Sequence, residues 1–272
     1  MTLGKREVGL KYMLLFLCLA LSLIGCGEKK PTAQDLADQE QQYNFRAAVQ
    51  AYKIGINALN HKEFQKAIDS LLKAIAMDDT NYRFRYGLGL AYSMHGQLEK
   101  ALVQLEEGLR INPNDTESYN LMGTIYIDLG RYEEATQALR KVIQDKTFSE
   151  PKFPYFNLGL CLRKQKQTDK AIAAFQLATQ YDPEFYRAYV ALGEIYNEQK
   201  NFPQMLYYYL KAEPAFSNDV NVLFHIGYAA FKLKKYDQAK RYLAQVSILF
   251  PTPTIDRSTQ TMLNYINRMQ QH

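Results

Sequence analysis

The fold is decided by a stretch of 34 residues, 82–115, which reads YRFRYGLGLAYSMHGQLEKALVQLEEGLRINPND. Within it Gly89 follows an apolar residue, Ala101 stands twelve residues later, and Leu105 four residues after that. Apolar residues three and four positions apart share one face of a helix. Two helices approach closely only where the facing side chains are small. This stretch therefore predicts a helical hairpin whose two helices meet at Gly89 and Ala101.

The same arrangement recurs along the 272-residue chain. Glycine returns every 34 residues, with a single interval of 36 where Glu150 and Pro151 are inserted. A period of this length indicates stacked units that bury their apolar faces against their neighbours. We therefore expect an all-α fold of six helical hairpins within residues 45–253. The repeat glycines are Gly55, Gly89, Gly123, Gly159, Gly193 and Gly227, and the repeats span 48–81, 82–115, 116–149, 152–185, 186–219 and 220–253.

The 34-residue period, with its small and apolar residues at fixed positions, resembles the tetratricopeptide repeat over about 206 residues. The resemblance implies a right-handed α-solenoid whose concave wall is formed by the first helix of each repeat. The fifth repeat departs most, because Met205 replaces the small residue there, and looser packing is expected. Residues 254–272 contain a further helical pattern with Met262, Ile266 and Met269 on one face, which predicts a helix that caps the last repeat.

The N-terminus carries the features of an exported lipoprotein. A basic start followed by an apolar run over residues 12–24 is typical of a signal peptide, which we assign to residues 1–25. The run ends in Leu23-Ile24-Gly25-Cys26, which resembles the lipobox of bacterial lipoproteins. The resemblance implies cleavage before Cys26 and attachment of acyl chains such as palmitate to that residue. Residues 26–44 are polar and without periodicity, which predicts a tether between the lipid and the repeats.

The first helices predict a binding surface, because the fifth and ninth positions of several repeats carry apolar side chains that the hairpin contacts do not use. Apolar side chains exposed on one surface need a partner, because otherwise they lower solubility. A surface of this kind suits an amphipathic helix or an extended segment of another protein. Two alternatives stay open: these side chains belong to the core, or the N-terminal segment or the terminal helix covers the groove. The predicted groove residues are Tyr52, Ile56, Tyr86, Leu90, Phe156, Leu160, Phe224 and Tyr228.

Composition and motifs argue against several classes of function. The formal charge of +5 becomes +3 once the three basic residues and one acidic residue of 1–25 are removed, which offers no case for nucleic-acid binding. The four histidines fall at unrelated positions of the repeat, so we predict that they are surface residues. Cys161 lies in an apolar helical stretch, where a small buried side chain is expected. No metal site, cofactor or catalytic group is predicted, so we expect a protein-binding scaffold and not an enzyme.

The lipobox, the tether and the six repeats together resemble the pilotin lipoproteins of type IV pili, the PilF, PilW and Tgl group. The local resemblance is clearest in YNLMGTIYIDLGRYEEA, residues 119–135, and FNLGLCLRKQKQTDKAIAAF, residues 156–175, with two inserted residues between them. It implies a lipid-anchored protein on the periplasmic face of the bacterial outer membrane. There it would hold a secretin subunit, or an amphipathic segment of it, and assist its assembly. The alternatives are a periplasmic adaptor for envelope assembly or peptidoglycan enzymes, and a protein that binds lipid or a small molecule in the apolar groove.

Overall fold

Helices make up almost all of the chain that the structure, a computed structural model, describes, namely residues 32–270. Thirteen helices and no strand occur in that range, which confirms the predicted all-α fold. The helices are α1 (Ala33–Asn60), α2 (Phe64–Met77), α3 (Tyr82–Met94), α4 (Leu98–Ile111), α5 (Thr116–Asp128), α6 (Tyr132–Gln144), α7 (Lys152–Lys164), α8 (Thr168–Tyr181), α9 (Tyr186–Glu198), α10 (Phe202–Ala212), α11 (Val220–Lys232), α12 (Tyr236–Ile248) and α13 (Pro253–Met269).

Helices α1 to α12 form consecutive hairpins, one for each repeat. The two helices of a hairpin are joined by a short turn, such as residues 95–97 between α3 and α4. A connection of this length makes consecutive helices antiparallel neighbours. From α2 onward, the second helix of each repeat also packs against the first helix of the next one, and α13 packs against α12 and α11. The chain is therefore a stacked array in which every hairpin is supported by the ones beside it.

All six repeat glycines are buried at the contact between the two helices of a hairpin. A methyl group placed on Gly55 would lie 2.6 Å from Leu71 Cγ, and one placed on Gly159 would lie 2.6 Å from the ring of Phe175. A favourable carbon–carbon contact needs about 3.5–4.0 Å. The lack of a side chain at the glycine is therefore what lets the two helices approach. The facing side chains are Leu71, Leu105, Leu139, Phe175, Tyr209 and Leu243.

The fifth repeat is well packed, which corrects the expectation of looser packing there. Met205 is fully buried, and Tyr209 is only 1% exposed. A methyl group on Gly193 would lie 2.8 Å from the ring of Tyr209. Methionine is unbranched and flexible, so it fits where other repeats have alanine. Pro203 lies in the first turn of α10, where the missing N–H removes no bond within the helix.

Within residues 26–44, the predicted tether, the described part is helical from Ala33 onward. The helix begins with a capping box. The backbone N–H of Thr32 donates to Asp35 Oδ2 at 2.7 Å, and that of Asp35 donates to Thr32 Oγ1 at 3.1 Å. These bonds satisfy two donors that a helix start leaves open. Most side chains from there to residue 47 are exposed, including those of Leu36, Tyr43 and Phe45.

Helix α13 occupies the region predicted to cap the last repeat. Met262 is 7% exposed and Ile266 is fully buried, so both pack inward as predicted. Met269, the third member of the predicted face, lies at the exposed end of the helix. The apolar side of α13 thus covers α12 and part of α11.

Several sequence predictions fall outside the described residues. These are the signal peptide, residues 1–25, the lipidation site Cys26, and the histidine at position 272. Among the helices that the structure does describe, none combines the length and the apolar character needed to cross a membrane.

Candidate binding cavity in repeats four to six

The structure places the eight predicted groove residues in three settings. None of them is strongly exposed: Phe156 is buried, and the other seven are half-buried. In the first two repeats these side chains pack into the core, as one of the open alternatives states. The ring of Tyr52, for example, lies on Phe84 with 5.2 Å between the ring centroids. The four residues in this setting are Tyr52, Ile56, Tyr86 and Leu90.

In the last three repeats, Phe156 and Leu160 of α7 line a cavity that α9 and α11 complete. Its volume is about 550 Å³, within the ~300–1,000 Å³ of pockets that bind ligands. Phe224 and Tyr228, the other two predicted residues, stack on each other along α11 with their ring centroids 6.1 Å apart. The cavity also has a polar part, made of Arg163, Arg187, Glu194, Asp219, Asn221 and His225.

The apolar part of the cavity is held in place by aromatic packing. Phe156 contacts Phe175 and Phe185, with ring centroids 5.5 Å and 5.3 Å away. A ring packed in this way cannot change its rotamer, so Phe156 offers a fixed apolar surface to the cavity. Val190 of α9 and Val222 of α11 extend that surface. The cavity is therefore formed without a partner, which reduces the entropy cost of binding.

The charged part of the cavity is ordered by one arginine. Arg163 Nη1 donates to Glu194 Oε2 at 2.6 Å, and its Nη2 donates to Glu198 Oε1 at 2.5 Å. Two charge-assisted bonds hold the guanidinium in a fixed plane. Arg187 lies 5.5 Å from the centroid of the Phe156 ring, is exposed, and makes no ion pair with a carboxylate within residues 32–270. Its guanidinium can therefore bind a carboxylate or carbonyl of a partner.

His225 lines the cavity, which corrects the prediction that it is a surface residue. Its ring stacks on Tyr209 with 5.0 Å between the centroids. Its Nδ1 is buried and has no hydrogen-bond partner in the described part of the chain. Burial lowers the pKa of His225, and the carboxylates of Glu194 and Asp219 oppose that shift without cancelling it. The imidazole is therefore neutral at pH 7.5 and has a nitrogen available to a bound segment.

Acidification is expected to destabilise the protein through His225. Because its pKa in the folded state lies below the ordinary value of 6.5, the unfolded chain binds a proton first as the pH falls. Stability is then lost from pH 6.5 down to the lower pKa of the folded state. Urea unfolding at pH 7.5 and 5.0 measures this loss, which should be smaller in His225→Gln. His95→Gln is the matched control, because His95 is exposed; equal losses in the wild type and His225→Gln would contradict the assignment.

Phe156 and Leu160 of the cavity were predicted from the sequence, whereas its polar part was not. Arg187 and Asn221 hold the second position of repeats five and six, and Glu194 holds the ninth position of repeat five. The second and ninth positions are among those that a stacked array turns toward its inner face. The same register, applied to polar as well as apolar residues in all six repeats, would have found all three residues.

The rest of the described chain offers little reactive chemistry. No group of three or more histidine, cysteine, aspartate or glutamate side chains there is arranged to hold a metal ion. Cys161 is fully buried, as predicted, and burial raises the pKa of its thiol to about 11. It therefore stays a protonated thiol at physiological pH, which is a poor nucleophile.

Comparison with known proteins identifies the repeats directly. Models of the tetratricopeptide repeat match residues 58–125, 95–153, 154–185 and 221–252. Together these matches cover more than half of the chain. They include α7 and α11 of the cavity but not repeat five, which contributes α9.

Two related proteins extend the likeness beyond single repeats. The chain is 25% identical over 238 residues to the type IV pilus assembly protein PilF of Pseudomonas aeruginosa, covering 86% of this chain and 91% of that protein. The solved structure of Pseudomonas aeruginosa PilF superposes with a TM-score of 0.69 at 19% identity, over 80% of this chain and 98% of that one. That of PilW, described as a widely conserved type IV pilus biogenesis factor, has a TM-score of 0.65 at 22% identity, over 79% and 98%. The chain is a repeat scaffold related to type IV pilus biogenesis factors, and it belongs to the tetratricopeptide repeat family.

Proposed function

We propose that the protein is a lipid-anchored scaffold that assists the outer-membrane localisation and assembly of a type IV pilus secretin. The observation that carries the proposal is the extent of the likeness to PilF, which covers 86% of this chain and 91% of that protein. Generic repeats commonly match only part of a longer protein, whereas here the two chains correspond along most of their lengths. The predicted lipobox at Cys26 supports the membrane attachment that such a role needs.

We assign partner binding to the cavity of repeats four to six. Phe156 and Leu160 can cover an apolar side chain, while Arg187 and Asn221 are exposed at the cavity and can donate to carbonyl or carboxylate groups. A surface of this mixed kind suits an amphipathic segment, which presents apolar residues on one side and polar groups on the other. Holding such a segment of a secretin subunit would keep its apolar side from aggregating before assembly.

The polar lining disfavours the alternative in which the cavity holds a lipid tail. An acyl chain would displace water from Arg163, Glu194 and His225 without offering them hydrogen bonds. Leaving a buried polar group unsatisfied costs about 1–3 kcal/mol. A peptide segment supplies donors and acceptors of its own, so it fits the cavity better than a lipid.

Replacement of Cys26 by serine is expected to release the protein from the outer membrane and to abolish secretin assembly. One buried methylene contributes about 0.8 kcal/mol, and two or more acyl chains together give stable anchoring. Serine lacks the thiol that carries the lipid. Fractionation should find Cys26→Ser in the soluble periplasm or as uncleaved precursor, with secretin multimers reduced by more than about tenfold.

Cys18→Ser is the matched control, because it makes the same change inside the predicted signal peptide. It should fractionate as the wild type does. Normal outer-membrane fractionation of Cys26→Ser would contradict the lipid anchor. Unchanged secretin multimers in a strain that lacks the whole protein would contradict the pilotin role, and recovery of peptidoglycan enzymes as its partners would favour the adaptor alternative.

A further inference from the structure

One edge of repeats four to six is strongly basic, and the proposed partner binding does not use it. The turns between the two helices of these repeats, with the adjoining helix ends, span residues 161–170, 195–204 and 229–238. They contain eight basic and three acidic residues, so their net charge of +5 equals that of the whole chain. The exposed lysines among them, which we call the lysine edge, are Lys164, Lys166, Lys170, Lys200, Lys232, Lys234 and Lys235.

Contacts between the repeats join these three turns into one surface. Arg163 at the end of α7 donates to Glu198 at the end of α9 at 2.5 Å. Lys232 at the end of α11 lies 6.0 Å from the ring centroid of Phe202 at the start of α10. The turn of repeat five is therefore adjacent to the turns of repeats four and six. A flat anionic surface could meet all three at once.

The backbone at the lysine edge is in a conformation that favours glycine. Lys166, Lys200 and Lys234 have φ values of 60°, 55° and 59°, in the left-handed region. The same turn position is held by Lys62 in repeat one, with a φ value of 59°, and by Gly96 and Gly130 in repeats two and three, with φ values of 78° and 72°. Glycine adopts this region without steric cost, whereas lysine does not. The fold requires only the left-handed backbone at this turn position, and glycine would meet that requirement. Lysine at this position in repeats four, five and six therefore indicates a role for the charge of its side chain.

The ammonium groups of the lysine edge are available to a partner. Within residues 32–270, none of these seven lysines is ion-paired with a carboxylate, although Lys66 and Lys152 and two arginines elsewhere, Arg110 and Arg131, are. Lysine is a flexible point charge, suited to mobile anions, whereas a fixed carboxylate is more often held by the planar fork of arginine. The one other basic side chain in these turns is that of Arg163, which Glu194 and Glu198 already hold.

We propose that the lysine edge binds the anionic headgroups of a lipid bilayer, the membrane to which the acyl chains on Cys26 would tether the protein. The choice of a bilayer over another polyanion rests on the proposed lipid anchor. Clustered lysines are drawn to anionic lipid over roughly one Debye length, about 10 Å at 0.1 M salt. Arg163 lies next to the lysine edge and also lines the cavity. A segment bound in the cavity is therefore held close to the membrane surface.

The test uses the mature chain, residues 26–272, with Cys26→Ser, so that no acyl chain contributes. Binding is measured by co-sedimentation with vesicles of phosphatidylcholine alone and of phosphatidylcholine containing phosphatidylglycerol. We expect binding only to the anionic vesicles, with loss at high salt. The variant K166E/K200E/K234E should bind at least tenfold more weakly. The control K53E/K73E/K141E makes the same change of charge at exposed lysines away from the edge and should bind within threefold of the parent.

A second variant removes the charge of these lysines but keeps the conformation of the turns. K166G/K200G/K234G should lose the same tenfold or more in binding while its Tm rises, because glycine relieves the left-handed backbone. A fall in its Tm with unchanged vesicle binding would overturn the proposal. Equal binding to neutral and anionic vesicles, equal weakening in the edge and control variants, or binding to polyglutamate but not to anionic vesicles would also overturn it. Since no acyl chain is present, these outcomes are independent of whether Cys26 is lipidated in cells.

Discussion

Arg187→Glu combined with Asn221→Glu is expected to weaken binding of the secretin segment by at least about a hundredfold, roughly 3 kcal/mol. Both side chains are exposed at the cavity, and two new carboxylates would join those of Glu194 and Asp219. The cavity would then repel the carbonyl and carboxylate groups that we propose Arg187 and Asn221 to bind. Titration calorimetry with purified secretin domains measures the loss.

The fold of this double variant should survive. Substitutions of exposed residues usually change stability by no more than about 0.5 kcal/mol, and loss of the contact between Arg187 and the Phe156 ring adds about 0.5–1 kcal/mol. Arg83→Glu is the matched control, because Arg83 holds the second position of repeat two, is exposed, and lies outside the cavity. An equal loss of binding in Arg83→Glu would show that overall charge, and not the cavity, governs the interaction.

Gly159→Leu should have the largest effect on stability, a loss of about 3 kcal/mol or more. Even a methyl group on Gly159 would lie 2.6 Å from the ring of Phe175, which is fully buried. The extra atoms of leucine therefore force α7 and α8 apart, since overpacking a core is relieved only by moving side chains or backbone. The gain in helix propensity over glycine, at most about 1 kcal/mol, does not offset this cost. Denaturant unfolding followed by circular dichroism measures the change.

A double-mutant cycle attributes the loss to that contact. Phe175→Ala by itself is expected to cost about 3–5 kcal/mol, because it leaves a cavity. In that background Gly159→Leu should cost much less, or even stabilise, since leucine enters the vacated space. The difference between the two backgrounds is the coupling energy of the pair. The same cost in both backgrounds would mean that Gly159 is not needed for the approach of α7 to α8.

The helical hairpins follow from the sequence because a single steric requirement repeats. Gly159 and the five other repeat glycines stand where a side chain would collide with the second helix, and a requirement of that kind leaves a fixed spacing in the sequence. The capping helix is predictable for a similar reason, since Met262 and Ile266 must cover the last hairpin. For the hairpins and for the capping helix alike, the steric or burial requirement involves neighbouring helices only, and few residue types can meet it.

The binding surface is less predictable, because burial on the first helices depends on neighbouring side chains. Tyr52 holds a predicted groove position, yet its ring turns onto Phe84 and fills the space left by Gly87, where a methyl group would lie 3.0 Å from Tyr52 Cε2. Phe156 holds the same position in repeat four and lines a cavity instead. His225 likewise is half-buried against the ring of Tyr209, which comes from the preceding repeat. The position of a residue in the repeat predicts which way its side chain points. It does not predict which neighbouring side chains bury it.

The helix in the predicted tether was missed for a different reason. Its residues are mostly polar, with few apolar side chains such as Leu36 and Tyr43, so the apolar periodicity that reveals the other helices is weak. The signal lies instead at its first turn, where Thr32 and Asp35 form the capping box.

The most direct test of the proposed function is photo-crosslinking from the cavity in living cells. A benzophenone amino acid placed at Asn221, which is exposed and lines the cavity, reaches only a partner bound there. We predict a covalent adduct that contains the type IV pilus secretin, and little or none from the same probe at Arg83. An adduct with a different protein at Asn221, or secretin adducts in equal yield at the two positions, would contradict binding of the secretin in this cavity.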